Sequence, residues 1–309
     1  MKPCIISLAL MATLMPMADA ETIWAKGVSY DSGWYDANKT KKDDPDWNYN
    51  YPNDPSGKGA KTDDNMCYAA AAANILAWWQ DQYVIPSDTP KGVDRTSGTY
   101  TLDASDVWST FVTNSLYGGG LNVPQAILWY MTGEAQYKSG EIYFATAEGY
   151  YSSTIPAGIT LYDMNDTTGA YFIQNHAATA ANILDILNSH KAAALELGGH
   201  SITLWGADVE GGSINSLFVT DSDDYTGTTD LMEVKLTTTA DGKLTFKFNE
   251  SDTKTFTIGT IYTINPEVSD AWGMERVPST GSDTTVPEPA TATLSLLALA
   301  GMALRRRRK

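Results

Sequence analysis

Apolar positions along this chain fall into two regimes. Up to Ser189 the longer patterns have a helical period; from Ala192 onward they alternate. The stretch Cys67–Gln82 begins the first regime. Its run Ala69–Ala73 is built from the strongest helix former, and Trp78-Trp79 follows, which predicts a helix to about Gln82. Asp63, Asp64 and Asn65 stand just ahead of it, where first-turn N–H groups need acceptors. A second helical pattern, Asp103–Leu116, carries apolar Val107, Trp108, Phe111 and Val112 and is broken by Gly118-Gly119-Gly120. Pro124–Thr132 reads as a short helix. Ala177–Ser189 reads as another, with Ala180, Ile183, Leu184 and Leu187 at i, i+3, i+4 and i+7. Within this half, Ile23–Tyr30 and Ile142–Ala147 are strand-like, and Ile159–Tyr171 fits neither period.

The second regime predicts strands at Ala193–Leu197, Ser201–Val209, Ser216–Asp221, Leu231–Leu236, Leu244–Phe248 and Thr255–Ile264. Gly-Gly, Asp-Gly or Asp-rich turns separate most of them. Lys41–Thr62, rich in Asp, Asn, Pro, Gly and Lys, reads as a long surface loop, and Pro86–Gly98 as a shorter one. Helices followed by an antiparallel sheet predict an α+β fold. No internal repeat is visible.

Both ends of the chain read as addresses. Lys2, the apolar segment Ile5–Met17 and Ala18-Asp19-Ala20 have the order of a signal peptide, with cleavage expected after Ala20. At the other end, Val286-Pro287-Glu288-Pro289 precedes the apolar run Ala290–Leu304 and the basic cluster Arg305–Lys309. That run is shorter than the roughly 20 residues that span a bilayer comfortably, and the basic cluster would hold the extreme terminus in the cytoplasm. The order resembles the PEP-CTERM sorting signal, which implies a membrane peptidase of the exosortase kind as a processing partner and delivery to the cell surface. A plain C-terminal membrane anchor is the alternative. The expected division is therefore a signal peptide over 1–20, a folded domain over 21–275, a polar linker over 276–286 and a sorting segment over 287–309.

Composition sharpens this picture. The formal net charge is -16, and without the two terminal segments 15 basic residues face 35 acidic ones. Such a surface argues against nucleic acid and anionic membrane as partners of the folded part. The chain has two cysteines, Cys4 and Cys67, and Cys4 lies in the predicted signal segment. The exported chain then carries a lone thiol, which is either a small buried residue or a reactive one. Its place in the first turn of a predicted helix favours the anion.

A cysteine nucleophile needs a base, a group to orient that base, and donors for an oxyanion. The bases of the right type are His176, His190 and His200. His176 and His190 flank the helix predicted over Ala177–Ser189 and read as exposed helix-end residues. His200 follows Gly198-Gly199 and opens a strand, and alternation turns it inward with Ile202 and Leu204. It is either a satisfied core histidine or a base. Asp221 ends the next strand with the parity of Leu217 and Val219, so it too points inward and needs a partner. If the two strands are antiparallel neighbours, the two residues can meet across the sheet end. Asp223 and Asp224 supply further carboxylates. The run from Asp221 fails the EF-hand pattern, with Thr226 where Gly is required and Met232 where Glu is required, and a looser calcium site stays open. No zinc spacing exists, and neither a cofactor nor a bound metal is expected.

Gly33-Trp34-Tyr35-Asp36, Lys39-Thr40, Asp63-Asp64 before Cys67, Trp78-Trp79, Leu204-Trp205-Gly206-Ala207-Asp208 and Val219-Thr220-Asp221-Ser222-Asp223 occur here in one order. Together they resemble the IdeS/Mac family of secreted bacterial cysteine endopeptidases, whose best-known members cleave immunoglobulin G. The resemblance spans roughly Trp24 to Trp272. It implies a papain-like fold and a catalytic set of Cys67 as nucleophile, His200 as general base and acid, Asp221 orienting the imidazole, Asp223 assisting it, and Lys39 helping to form the oxyanion hole with the Cys67 N–H. It also implies a protein substrate, with immunoglobulin or another host glycoprotein as a candidate. The segment between Lys39 and Cys67 is longer than the family's, and Lys58 and Lys61 stand nearer the cysteine in sequence. The segment before His200, which shapes substrate contacts, is shorter. A non-catalytic surface-binding protein that keeps the fold is the alternative, although a binder needs none of these residues.

Overall fold

A computed structural model describes residues 20–39, 63, 65–92, 101–102, 106–116, 120–223 and 231–278. The chain divides into two units, one ending at Glu275 and the other beginning at Arg276. All described helices and strands belong to the first. In chain order they are β1 (Glu21–Trp24), β2 (Trp34–Tyr35), α1 (Cys67–Gln80), β3 (Thr101–Leu102), α2 (Asp106–Asn114), α3 (Val123–Thr132), β4 (Gln136–Lys138), β5 (Glu141–Phe144), β6 (Ile173–Ala177), α4 (Ala180–Asn188), β7 (Ala193–Glu196), β8 (Ser201–Glu210), β9 (Ser213–Thr220), β10 (Met232–Lys235), β11 (Thr237–Thr238), β12 (Leu244–Phe246), β13 (Phe256–Thr257), β14 (Thr260–Ile264) and α5 (Pro266–Ala271).

The main sheet has seven strands in the order β10-β9-β8-β7-β14-β6, with β1 paired to β8. Every pairing within it is antiparallel. β8 is its axis. The first half of β8 pairs with β7, the second half pairs with β1, and β9 runs along its other edge. A smaller antiparallel sheet, β11-β12-β13, and the hairpin β4-β5 lie apart from it, and β2-β3 is a parallel pair. The fold is α+β.

Alternation along the strands divides the core in two. Ile202 and Leu204 of β8, with Ala193 and Leu195 of β7, pack with Ile183, Ile186 and Leu187 of α4. On the opposite face, Trp205, Ala194 and Tyr262 pack with α1. All fourteen residues of α1 are buried. A helix with no solvent face must settle its polar groups internally. Its side chains do so. Trp78 donates its indole N–H to the Lys26 carbonyl at 3.0 Å and Trp79 to Ser269 Oγ at 3.0 Å. Gln80 donates to the Pro90 carbonyl and to the hydroxyls of Tyr130 and Tyr151 at 2.9–3.1 Å. The small side chains permit close approach: a Cβ at Gly92 would lie 2.6 Å from that of Ala77.

Several expectations need correction. No side chain caps α1. Its N-cap is Met66, whose N–H goes to the Asp63 carbonyl at 2.8 Å, so a backbone turn brings the chain into the helix. The helix predicted from Ala177 starts at Ala180 behind its N-cap Thr179. The residues before it form β6, an edge strand too polar to announce itself by alternation. His176 therefore sits on a strand and not at a helix end. The strand predicted over Thr255–Ile264 is two, because the chain changes sheets: Ile258 N–H bonds Leu244 and Gly259 N–H bonds Glu196. Strand β4 and helix α5 were not anticipated, although Asn265-Pro266-Glu267 is a recognisable helix start. The predicted signal segment (apart from Ala20), the loop Lys41–Thr62 and the sorting segment lie outside the described residues.

Asn74 joins the pieces that matter most. From inside α1 it accepts the Ala37 N–H at 2.8 Å and donates to Thr203 Oγ1 of β8 at 3.0 Å. Replacing Asn74 with Ala leaves a buried N–H unpaired and is expected to cost about 1–3 kcal/mol. A thermal melt should show Tm lowered by several degrees, and an unchanged Tm would refute the clasp.

Candidate active site

Cys67 is the first residue of α1 and is buried. Ala69 and Ala70 both donate to the Met66 carbonyl, at 2.9 and 3.0 Å. The Cys67 N–H belongs to the first turn, where no intrahelical acceptor exists. The thiol and a donor with no acceptor within the helix thus share the positive end of the helix dipole.

His200 reaches this point through the β7-β8 hairpin. Leu197 N–H donates to the His200 carbonyl at 2.7 Å, closing a turn on Gly198 and Gly199 at φ 72° and 105°. Two consecutive positive φ values are what a tight two-residue hairpin demands, and glycine supplies them without strain. The imidazole therefore projects from the shortest kind of loop at the end of the central strand.

The β8-β9 register brings the acids to it. Thr203 pairs with Thr220 at the last rung. Continued past that rung, the count sets His200 across from Asp223 and diagonal to Asp221, within side-chain reach. His200 Nε2 lies 2.7 Å from Asp221 Oδ1, and its Nδ1 lies 3.8 Å from Asp223 Oδ2. A carboxylate accepts only, so Nε2 carries a proton; Nδ1 is the ring nitrogen left for Cys67, which lines the same cavity and helps to raise the imidazole pKa. Asp221 Oδ1 also accepts the Asp223 N–H at 3.1 Å, which fixes the two acids relative to each other.

Lys39 arrives from the opposite direction. Its N–H donates to the Ser222 carbonyl at 3.0 Å, and its buried ammonium forms an ion pair with Asp223. The length of the chain between Lys39 and Cys67 is therefore no obstacle. Lys39 is brought to the site by pairing with the Thr220–Ser222 segment, not by the loop that follows it. Lys58 and Lys61 lie outside the described residues, as does Asp224.

These five side chains line one cavity of about 790 Å³. Its lining also includes Leu121, Lys138 at the end of β4, Glu196 at the end of β7, Phe248 and Phe256. Among the described residues, the group His200, Asp221 and Asp223 has the spacing for a metal ion. Here the ligand atoms are already satisfied by one another, and the Lys39 ammonium supplies the positive charge. The other two histidines serve the scaffold. His176 bonds Thr263 Oγ1 at 3.0 Å, with its pKa lowered by burial and by Lys191. His190, at φ 53°, bonds the Trp24 carbonyl at 3.2 Å. Asn74 escaped the sequence reading, because a lone Asn in an alanine-rich helix carries no signature of its partners.

Residues 285–309 match the PEP-CTERM protein-sorting motif. No curated protein matches the chain. The motif marks an exported protein that an exosortase-like enzyme processes and that is anchored at the surface through its tail. Among the described residues no helix is long and apolar enough to cross a membrane.

Burial pulls the His200 pKa down from its ordinary 6.5, but the hydrogen bonds and charges of Asp221 and Cys67 outweigh it and lift it to about 10. The stability this contributes is fully present below pH 6.5 and is lost as pH rises through about 10. An NMR titration should find the His200 imidazole still protonated at pH 8, and Cys67→Ala should move its midpoint down by removing one anionic partner. A native midpoint near 6.5 would refute the pairing.

Proposed function

We propose that this protein is a surface or secreted cysteine endopeptidase of the IdeS/Mac type, with a papain-like fold. The observation that carries the reading is the chain of contacts from Cys67 to His200 to Asp221, at the open end of a buried helix. A raised imidazole pKa keeps His200 as imidazolium at neutral pH, the partner a thiolate needs. A helix packed against an antiparallel sheet that carries the base and acid at its end supports the papain-like assignment.

The mechanism follows from these atoms. The Cys67 thiolate attacks the substrate's peptide carbonyl, and the carbonyl π electrons move onto oxygen. The oxyanion is met by the Cys67 N–H and by Lys39, whose ammonium Asp223 steers. His200 gives its proton to the leaving amine as the C–N bond breaks, which leaves a thioester on Sγ. Neutral His200 then takes a proton from water as its oxygen attacks the thioester, and the C–S bond breaks to release the acid product and restore the Cys67 thiolate beside the imidazolium. Asp221 holds Nε2 throughout, so the imidazole cannot rotate away between the two steps. A host glycoprotein or immunoglobulin is the proposed substrate.

A surface-binding role would give such a thiol no work. Iodoacetamide or E-64 is therefore expected to alkylate native Cys67 rapidly near neutral pH and more slowly in His200→Ala. Equal rates in the two proteins would end the catalytic-pair reading. Cys67→Ala should abolish cleavage of a protein panel read by mass spectrometry, while keeping a cooperative melt. Lys39→Ala should lower kcat by roughly 10²-fold or more; a change confined to KM would make Lys39 a substrate-binding residue instead.

A further inference from the structure

The cleft holds a carboxylate for which the reaction has no task. Glu196 ends β7 and pairs in register with Ser201, the residue after His200. It lines the same cavity as Cys67 and His200. Alternation sets it with Ala194 on the face of the sheet that α1 covers. Its main chain is pinned where the chain crosses between the two sheets, since its carbonyl accepts the Gly259 N–H at 2.7 Å. Its side chain is aimed as well. Tyr262, from the neighbouring strand β14, donates its hydroxyl to Oε2 at 3.1 Å, and Tyr162 lies close enough to feel its charge.

Asp221 and Asp223 each have a cationic partner. Glu196 has none among the described residues. Of the lysines that line the cavity, Lys39 is paired with Asp223, and Lys138 and Lys254 are exposed, Lys254 lying over the Phe256 ring with Nζ 4.3 Å from its centroid. A half-buried carboxylate without a counter-charge carries a desolvation cost that an arriving cation would offset. The exposed lysines are screened by water and bias the site far less. Phe248 and Phe256, which pack against the other core cluster, line the same cavity and offer apolar surface suited to the methylene stem of a long cationic side chain.

We propose that Glu196 determines specificity by selecting a lysine or arginine next to the scissile bond. This rests on the reading of the cleft as an endopeptidase site. The bound cation would meet Oε1, the oxygen that Tyr262 leaves open, while its stem lies along the phenylalanines.

The test is a peptide series that differs only at the residues flanking the cut, carrying Lys, Arg, norleucine or Glu. The wild-type protein should prefer Lys and Arg over norleucine by roughly 10- to 100-fold in kcat/KM, the range of one charged hydrogen bond. Glu196→Gln should bring that ratio close to one, and Glu196→Lys should turn the preference toward Glu. Each comparison is a ratio within one protein, so partial loss of folded material cancels. Equal wild-type rates for basic and neutral peptides, or a ratio that survives Glu196→Gln, would overturn the assignment and leave the endopeptidase reading standing. If no peptide is cut and Cys67 is alkylated no faster than in the unfolded chain, both fail.

Discussion

The constraint behind this structure is that helix α1 has no solvent-facing side. Every residue from Cys67 to Gln80 is buried, so the helix can exist only if the surrounding chain closes around it completely. The sheet covers one flank through Trp205 and Tyr262, while α2, α3 and the Trp34–Ala37 segment complete the enclosure. What remains open is the N-terminal end. A buried helix with one uncovered end concentrates its unpaired N–H groups, its dipole and its first side chain in the same small volume. The cavity is therefore a consequence of the packing.

The site is also an ordered sequence of charges. Lys39 pairs with Asp223, Asp223 lies near His200, and His200 is held by Asp221 on one side and by Cys67 on the other. Positive and negative groups alternate, so each buried charge has an opposite neighbour and the desolvation that would neutralise it is resisted. This local balance stands within a chain of net charge -16. The acidic surface gives the body solubility, and the positive groups are placed where chemistry would use them.

Much of this was legible in the sequence, for identifiable reasons. The alanine run followed by Trp78-Trp79 announced a helix, and its burial on every side is a finding of the structure. Alternation from Ala193 to Thr220 located the two strands, but His200 and Asp221 stand just beyond their ends, and the parity assigned to them is that of the face packed on α4, so alternation did not place them beside Cys67. Their contact depends on a register that parity alone does not fix, and the Thr203–Thr220 rung supplies it. The approach of Lys39 was obscure because it rests on a backbone bond to Ser222, and backbone bonds leave no trace in residue type. Asn74 and Glu196 were missed for a related reason. A single polar residue among apolar ones looks the same whether it ties three segments together or faces a cleft. The polar edge strand β6 and the change of sheets at Gly259 were hidden because each runs against the local pattern.

Cys67 is the one cysteine of the folded part, and Cys4 lies in the predicted signal segment. With no disulfide among the described residues, the fold is held by packing, ion pairs and hydrogen bonds, including the clasp of Asn74. That separates two properties that are entangled in most exported proteins. Reductant can be supplied freely to keep the thiol competent without loosening the fold. Each equivalent of thiol consumed by an alkylating reagent then counts one Cys67, so the protein carries its own internal standard for thiol titration.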